Sequence, residues 1–301
     1  MSPFPNLQEL TRGKDFALDQ GGVSAGRADP NASKNRYPDV LPYEGTRVKL
    51  GGCDDASGYI NANWVAGEHI SRTSGKAYIA AQAPLDETTG DFWRMVWESD
   101  AKVILMLGKE VENFSSKCAR YWVEVGQDAV HFGAFAVSCV DDETVMTAVG
   151  APDEAAIVRR ALVVTRTDDQ GEEESRHVYH LQHASWPDAG VPTLAETDRL
   201  LCEVDALRER STVVVHCSAG LGRTGTFIAI DTLRLKIDAE MPQAKVNVMM
   251  SVKRLREQRA GLVQTRDQYV FIYKYLLHWV EAHFPSVHED DDDPDALLQT
   301  I

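Results

Sequence analysis

The chain contains 301 residues, of which 44% are hydrophobic and 26% are charged, and its formal net charge is −15. This length can bury a large core in one or two domains, and the acidic balance argues against a nucleic-acid binder, which presents clustered Lys and Arg to phosphate. No apolar run approaches the roughly 18 residues that span a bilayer, and no basic and apolar leader opens the chain. We therefore expect a monomeric, cytoplasmic protein that neither binds nucleic acid nor inserts into a membrane.

The cysteines fit neither a disulfide framework nor a zinc site, because they are odd in number, widely spread and without a Cys-x-x-Cys pair. They are Cys53, Cys118, Cys139, Cys202 and Cys217. A reducing compartment is expected, and the sequence indicates neither a metal nor an organic cofactor. A lone cysteine is most often a small buried apolar side chain, and we expect this of every cysteine except Cys217.

The first 30 residues are predicted to form an N-terminal extension of loop and short helix, since Gly21-Gly22 and Asn31 interrupt any regular pattern. Apolar residues at strand spacing then recur along the chain, and apolar residues three and four positions apart mark helices between them. The predicted strands are residues 59–65, 78–81, 103–107, 130–137, 161–165, 177–182 and 212–216. The predicted helices are residues 88–100, 194–210, 223–240, 246–258 and 267–283.

Strands that alternate with amphipathic helices indicate an α/β fold with one large sheet. No internal repeat and no Pro- or Ser-rich linker divides the chain, so we expect a single domain over residues 31–285. Residues 286–301 contain an unbroken run of Asp whose like charges repel one another. They are predicted to form a disordered, solvated tail.

A short Gly-containing turn joins the strand at 212–216 to the helix that follows. At a helix N-terminus several backbone N–H groups lack partners and the helix dipole favours an anion, so this turn is predicted to cradle a phosphate. Gly220 and Gly222 permit the unusual backbone angles of such a loop, and Arg223 adds bidentate donors. The predicted cradle consists of Ser218, Ala219, Gly220, Leu221 and Gly222.

Cys217 begins this turn, beside the N–H groups and Arg223. These surroundings stabilise a thiolate, so the pKa of Cys217 is expected to fall below the ordinary value of about 8.5. Cys217 is then a nucleophile that attacks phosphorus while the same donors hold the equatorial oxygens. The hydroxyl of Thr224 is placed to assist departure of the sulfur. A nucleotide-binding P-loop is excluded, because no Gly-Lys-Ser/Thr follows the glycines.

The string Val215-His-Cys-Ser-Ala-Gly-Leu-Gly-Arg-Thr-Gly225 resembles the signature loop of the cysteine-based (Cys-x5-Arg) protein tyrosine phosphatases, in particular the tyrosine-specific, non-receptor type. Short loops of this kind are shared with dual-specificity, lipid and low-molecular-weight phosphatases, so the loop alone indicates the reaction and not the substrate. The resemblance extends over residues 34 to about 280. It implies a large, highly twisted mixed sheet flanked by helices, in a single domain. Its further core segments are residues 59–63, 78–82, 91–98 and 117–122.

Two other segments resemble the loops that supply an acid and a water in this family. An aryl ester needs a proton for its leaving phenolate. The string Ser185-Trp-Pro-Asp-Ala-Gly-Val-Pro192 is similar to the mobile acid loop, which implies Asp188 as general acid and then general base, with Trp186 as a hinge. The string Gln264-Thr-Arg-Asp-Gln268 is similar to the glutamine segment. By that resemblance Gln264 positions the hydrolytic water, and Gln268 contacts the phosphoryl group or the water.

The string Lys34-Asn-Arg-Tyr-Pro-Asp39 resembles the loop that sets phosphotyrosine selectivity in this family. An aromatic wall at the mouth of a deep cleft stacks on a phenyl ring, and the depth leaves the shorter phosphoserine out of reach. The resemblance implies that Tyr37 is this wall and that Asp39 accepts N–H bonds from the substrate peptide. It also implies supporting roles for His216, Glu112 paired with Arg223, Lys117 near Asp188, Trp186, and Arg256 bracing the signature loop.

The leading interpretation is a protein-tyrosine phosphatase that acts on phosphotyrosine-containing proteins without a cofactor. An alternative is a catalytically weak phosphotyrosine-binding module, which would lack the cysteine, the arginine or the acid, whereas all three are present. A lipid or phosphoserine phosphatase would lack the tyrosine wall and favour lysines in the signature loop, and residues 218–222 contain none.

Overall fold

The computed structural model describes residues 22–52, 58–67, 77–148, 150–168 and 170–285. The strands in these ranges are β1 (Arg47–Lys49), β2 (Tyr59–Val65), β3 (Tyr78–Ala81), β4 (Val103–Leu107), β5 (Val111–Glu112), β6 (Ser115–Ser116), β7 (Val130–Phe132), β8 (Phe135–Ala148), β9 (Ala151–Thr167), β10 (Glu173–His183) and β11 (Val213–His216). The α-helices in the same ranges are α1 (Ser24–Arg27), α2 (Asp29–Ala32), α3 (Thr89–Glu98), α4 (Leu194–Arg208), α5 (Gly222–Glu240), α6 (Val248–Gln258) and α7 (Arg266–His283).

Nine of these strands form one mixed sheet in the order β1-β2-β3-β11-β4-β10-β9-β8-β7. Neighbours among β3, β11, β4 and β10 are parallel, and the outer pairs are antiparallel. Strands β4 and β11 are buried along their whole length, as continuous apolar runs in the centre of a parallel sheet should be. The prediction of a single α/β domain with a large mixed sheet is confirmed.

Apolar clusters cover both faces of the sheet. Val213 and Val215 of β11 belong to one cluster, while Val214 between them belongs to the other, because successive side chains of a strand point to opposite faces. The first cluster includes the buried faces of α4, α5, α6 and α7, and the second includes that of α3. The end of β11 is thus fixed from both sides, and the loop that follows it starts from a rigid position.

The five predicted helices all occur, and each of their ends lies within two residues of its predicted position. The strand prediction at residues 130–137 is wrong, because this segment is a hairpin of β7 and β8 whose turn contains Gly133 at φ +63°. The prediction at 161–165 is too short, since β9 spans 17 residues and pairs with the 14-residue β8. Several residues of β8 from Val140 onward are exposed, so no alternation of apolar and polar residues marks the outer part of this ribbon.

The described part of the predicted N-terminal extension is hydrogen-bonded to the domain. Ser24 Oγ and Ala25 N donate to a carboxylate oxygen of Glu44, and Asn35 Nδ2 donates to the carbonyl of Gly26. Residues 1–21, the predicted tail at 286–301 and Cys53 lie outside the described residues, and the domain limits stay a prediction. Among the described helices, none combines the length and the apolar content needed to cross a bilayer.

The described cysteines are all free thiols. Cys118, Cys139 and Cys217 are buried, but the expectation of a buried side chain at Cys202 is wrong, because this residue lies on the exposed side of α4.

A buried charge network ties α5 to the rest of the fold. Asp231 of α5 is fully buried and accepts hydrogen bonds from Tyr78 of β3, from Arg208 Nη1 of α4 at 2.7 Å and from Arg234 Nη2 at 2.5 Å. Arg208 is only 2% exposed. One carboxylate therefore holds together a strand and two helices, including the helix whose first residues form the predicted phosphate loop.

Replacing Asp231 with Asn should destabilise the protein by about 3–5 kcal/mol, because it removes the carboxylate that pairs with the buried Arg208 and leaves Arg234 with only its more exposed partners Asp205 and Asp238. Urea unfolding measures this, with Glu174→Gln as the control. Glu174 forms an exposed pair with Arg176 at 2.9 Å, so its loss should cost about 0–1 kcal/mol. Equal stability of the two variants would contradict the role of Asp231.

Candidate active site

A cavity of about 540 Å³ opens where β11 ends and α5 begins. It brings together residues that lie far apart in the sequence, as the resemblance predicts. The predicted site residues that line it are Tyr37, Asp39, Lys117, Asp188, Cys217, Ser218, Ala219, Leu221, Gly222, Arg223, Gln264 and Gln268. No group of three His, Cys, Asp or Glu side chains within the described ranges is placed to hold a metal ion.

Glycines allow the loop from Cys217 to Arg223 to pack closely against its neighbours. Gly220 has φ +69°, and a Cβ there would lie 2.0 Å from the carbonyl oxygen of Ala81. At Gly222 a Cβ would lie 3.1 Å from Gln264 Oε1. A side chain at Gly220 would therefore displace the loop from β3, and the absence of one at Gly222 lets the glutamine segment approach the cavity.

Cys217 lies on the inner wall of the cavity and is 8% exposed. Burial alone would raise the pKa of its thiol, but the charge of Arg223 and hydrogen bonds from Thr224 and from the Leu221 amide outweigh burial and hold that pKa below its ordinary value. The hydroxyl of Thr224 is buried and has no hydrogen-bond partner by distance and angle among the described residues, so it is available to the neighbouring sulfur. The predicted thiolate environment is thus present in the geometry.

Arg223 is held by Glu112, as the resemblance predicts. Its Nη1 and Nη2 donate to the two carboxylate oxygens of Glu112 at 2.7 and 2.9 Å, a bidentate pair that fixes the plane of the guanidinium. Nη1 also donates to the carbonyl of Trp186 at 3.1 Å, and Nη2 lies 3.4 Å from Asp188 Oδ1. The arginine is therefore aligned before any ligand binds.

The segment with Asp188 lines the cavity through Asp188 and Ala189. Asp188 Oδ2 is 3.2 Å from Lys117 Nζ, which confirms the predicted proximity of these two residues. Trp186 is 2% exposed, and its Nε1 donates to the carbonyl of Gly190 across the turn. Thr265 Oγ1 donates to the carbonyl of Ala189 at 3.3 Å, so the segment also touches the start of α7.

The two glutamines have different surroundings. Gln264 is exposed at the cavity. Gln268 is 1% exposed, and its Oε1 accepts from the amides of Gln264 and Thr265 while its Nε2 donates to Gly190 O at 3.3 Å. Its amide group therefore holds the glutamine segment and the segment with Asp188, and it also lines the cavity.

Tyr37 also lines the cavity, with its hydroxyl 2.8 Å from Ser218 Oγ. Asp39 is exposed at the rim. His216 lies behind the loop, where its Nε2 is 2.7 Å from Tyr121 OH and its Nδ1 is 3.1 Å from the carbonyl of Cys217. Burial lowers the pKa of His216 to about 4, so the imidazole is neutral at neutral pH and serves as a fixed support for the loop.

With this geometry established, comparison with known proteins identifies the family. A family model described as protein-tyrosine phosphatase matches residues 31–278. The chain belongs to the protein-tyrosine phosphatase family.

Relatives with the same family name cover most of the chain. The human tyrosine-protein phosphatase non-receptor type 18 is 39% identical over 280 residues, which cover 88% of this chain and 56% of that protein. The human receptor-type tyrosine-protein phosphatase C is 38% identical over 268 residues, which cover 85% of this chain and 19% of that protein. This chain thus spans little more than half of the first relative and a fifth of the second.

A solved structure of PTPN18 in complex with HER2-pY1248 phosphopeptides has the same fold. It matches with a TM-score of 0.77 and 36% identity, and the match covers 88% of this chain and 94% of that one.

An arginine that the sequence analysis did not identify supports the signature loop of this family member. Arg259 is 1% exposed, and it donates through Nε to Gly220 O at 2.9 Å and through Nη2 to Ala219 O at 3.0 Å. Its other bonds go to the side-chain oxygens of Asn61 and Asn63 in β2. The sequence signal for this arginine was the pair of asparagines in an otherwise apolar buried strand, because buried amides need polar partners.

Arg256, which the resemblance assigns to the brace, binds the adjacent segment. Its Nε donates to Leu262 O at 2.8 Å and its Nη2 donates to Val263 O at 2.6 Å. Val263 N donates in turn to Leu221 O at 3.2 Å. These bonds of Arg256 thus reach the loop through residues 262–263, and the direct donor to the carbonyls of Ala219 and Gly220 is Arg259.

The rate at which iodoacetamide alkylates Cys217 should rise with pH, with an apparent pKa below about 8.5, because Arg223 and Thr224 favour the thiolate. The Cys217→Ser variant should lose this fast phase, and Thr224→Val should shift its pKa upward. A fast phase that survives in Cys217→Ser would contradict the assignment.

The Arg259→Met variant should bind orthovanadate at least tenfold more weakly, because carbonyls of the loop lose their charged donor and turn toward the anion. Equilibrium binding measures this, with the exposed Arg94→Met as the control. Unchanged affinity in Arg259→Met would contradict a direct bracing role.

Proposed function

We propose that this chain hydrolyses phosphotyrosine in proteins through a cysteinyl-phosphate intermediate on Cys217, with Asp188 as general acid and base. The observation that carries the proposal is the meeting of three groups at one cavity. The Cys217 thiol has a lowered pKa, Arg223 is fixed by Glu112, and Asp188 lies 3.4 Å from that arginine. A nucleophile, an anion clamp and an acid are the minimum set for transfer of an aryl phosphate.

In the first step the sulfur of Cys217 forms a bond to phosphorus as the bond from phosphorus to the tyrosine oxygen breaks. The phenolate receives a proton from Asp188. Arg223 and the amides of residues 218–223 hold the equatorial oxygens, whose charge changes during transfer. The amides need no reorganisation before the substrate enters, because Gly220 lets the loop pack closely against Ala81 and Arg259 binds the Gly220 carbonyl.

In the second step a water attacks phosphorus and the bond from phosphorus to sulfur breaks, which releases inorganic phosphate. Asp188 accepts the proton of the water, and Gln264 at the cavity positions that water. Thr224 donates a hydrogen bond to the departing thiolate. These roles require no metal or cofactor.

The cavity suits an aryl phosphate better than an alkyl one. Cys217 is on its inner wall, while the ring of Tyr37 stands on one side and Asp39 is exposed at the rim. A phenyl ring can stack on Tyr37 while its phosphate reaches the sulfur. The related PTPN18 structures hold HER2 phosphopeptides, and this supports phosphotyrosine-containing proteins as partners here. We further propose that the chain acts as a cytoplasmic monomer.

Turnover of a phosphotyrosine peptide should greatly exceed that of the matching phosphoserine peptide. Cys217→Ser should abolish it, and Asp188→Ala should lower kcat by about 10² to 10⁴, which is the usual contribution of a positioned acid. The exposed Cys202→Ser is the control and should keep full activity. Retained turnover in Cys217→Ser would refute the proposed mechanism, and a wild-type protein that binds the peptide without cleaving it would favour the phosphotyrosine-binding module.

A further inference from the structure

One buried carboxylate holds both ends of the segment that carries Asp188. Glu196 lies in the first turn of α4 and is 5% exposed. It accepts a hydrogen bond from Ser185 Oγ at 2.5 Å, where the segment begins. It also accepts from Thr193 N and from Thr193 Oγ1, both at 2.8 Å, where the segment ends. Both ends of residues 185–193, which we call the Asp188 lid, are thereby bound by a single side chain.

The bonds to Thr193 are part of a capping box, a common way to start a helix. The bond to Ser185 is different, because Ser185 is not part of the helix and lies at the far end of the loop. Both Thr193 bonds go to Oε2, whereas Ser185 donates to the other carboxylate oxygen, Oε1. Glu196 therefore does more than cap α4.

Hydrogen bonds from neutral groups stabilise the charge of Glu196. In the described part of the chain it forms no ion pair with Lys or Arg, and the nearby His183 is neutral because burial lowers its pKa to about 4. A buried carboxylate is costly unless hydrogen bonds satisfy it. Its three donors all come from the two ends of the lid, so lid and carboxylate stabilise each other.

Ser185 is joined directly to the residues that act at the cavity. It precedes Trp186, whose carbonyl accepts from Arg223 at 3.1 Å and whose ring lies 5.5 Å from that of His183. Asp188 follows two residues later. A shift of Ser185 away from Glu196 would therefore move the carbonyl that meets Arg223 and the carboxyl that reaches the cavity.

We propose that Glu196 is a positioning residue for the general acid: by tying Ser185 and Thr193 to one point, it fixes both ends of the Asp188 lid and so sets where Asp188 lies at the cavity. The inference rests on the proposed function, since it assigns Glu196 a role through Asp188. Because both ends are fixed, the lid loses less conformational entropy when it closes, and Asp188 stays close to the position in which it acts.

Kinetics of Glu196→Gln and Ser185→Ala test the role in catalysis. Gln keeps the size of the side chain, but its NH₂ group cannot accept the donors that the second carboxylate oxygen accepts. With phosphotyrosine, kcat should fall by about tenfold while KM stays within about twofold. A tenfold fall is smaller than the full contribution of a positioned acid, because Asp188 is displaced and not removed. With p-nitrophenyl phosphate, whose leaving group needs less protonation, the fall in kcat/KM should be smaller, because kcat/KM reports the first step and not the hydrolysis of the cysteinyl phosphate.

The Asp188→Ala background separates positioning from damage to the fold. If Glu196 acts through Asp188, adding Glu196→Gln to Asp188→Ala should lower kcat no further. Glu203→Gln is the matched control, because Glu203 is also 5% exposed and lies in the same helix, where it pairs with Arg159 and Arg199. An equal loss of kcat/KM with both substrates, or a further loss in the Asp188→Ala background, would overturn the proposal.

Hydrogen–deuterium exchange tests the lid without reference to activity. Backbone amides of residues 185–193 should exchange faster in Glu196→Gln and in Ser185→Ala than in the wild type or in Glu203→Gln. Unchanged exchange in the two lid variants would overturn the proposal even if the enzyme is active. A wild type without phosphotyrosine turnover would instead refute the proposed function, and exchange would still decide whether Glu196 holds the lid.

Discussion

A buried cysteine sulfur at the end of a central strand, whose thiolate must be stabilised, is the constraint on which this structure depends. Burial disfavours the thiolate of Cys217, so the surroundings must supply enough positive potential to reverse that effect. They do so with Arg223, with the amides of the loop at the start of α5 and with the hydroxyl of Thr224. Arg223 and the loop residues also line the cavity, so the groups that favour the thiolate can also attract a phosphate.

Two buried arginines contribute to this potential in different ways. Arg223 is paired with the Glu112 carboxylate, which aligns its guanidinium but offsets part of its charge. The described hydrogen bonds of Arg259 go to carbonyl and asparagine oxygens, all of them neutral. Burial lowers the pKa of Arg259 to about 10, and it remains charged at neutral pH. Among the described residues no carboxylate pairs with Arg259, so its charge beneath the loop is not offset there, and its bonds fix the carbonyls of Ala219 and Gly220.

The sequence predicted the parts of this protein that short motifs carry. The loop from Cys217 to Arg223 and the central strands could be found because each needs particular residue types at fixed spacing, and Asp188 was singled out by the resemblance of its segment to the acid loop of the family. The β8–β9 ribbon could not be found from periodicity, because its outer part is exposed and held by backbone hydrogen bonds. The contacts of Glu196 and Arg259 were also missed, since they join residues far apart in the sequence or bind backbone atoms that any residue supplies.

A crystal structure with bound tungstate tests the central claim most directly, because this ion resembles phosphate and does not depend on turnover. The account predicts a tungstate beside Cys217 Sγ, with its oxygens bound by the amides of residues 218–223 and by the guanidinium of Arg223. A crystal soaked to saturation in which tungstate binds elsewhere and leaves this loop empty would contradict it.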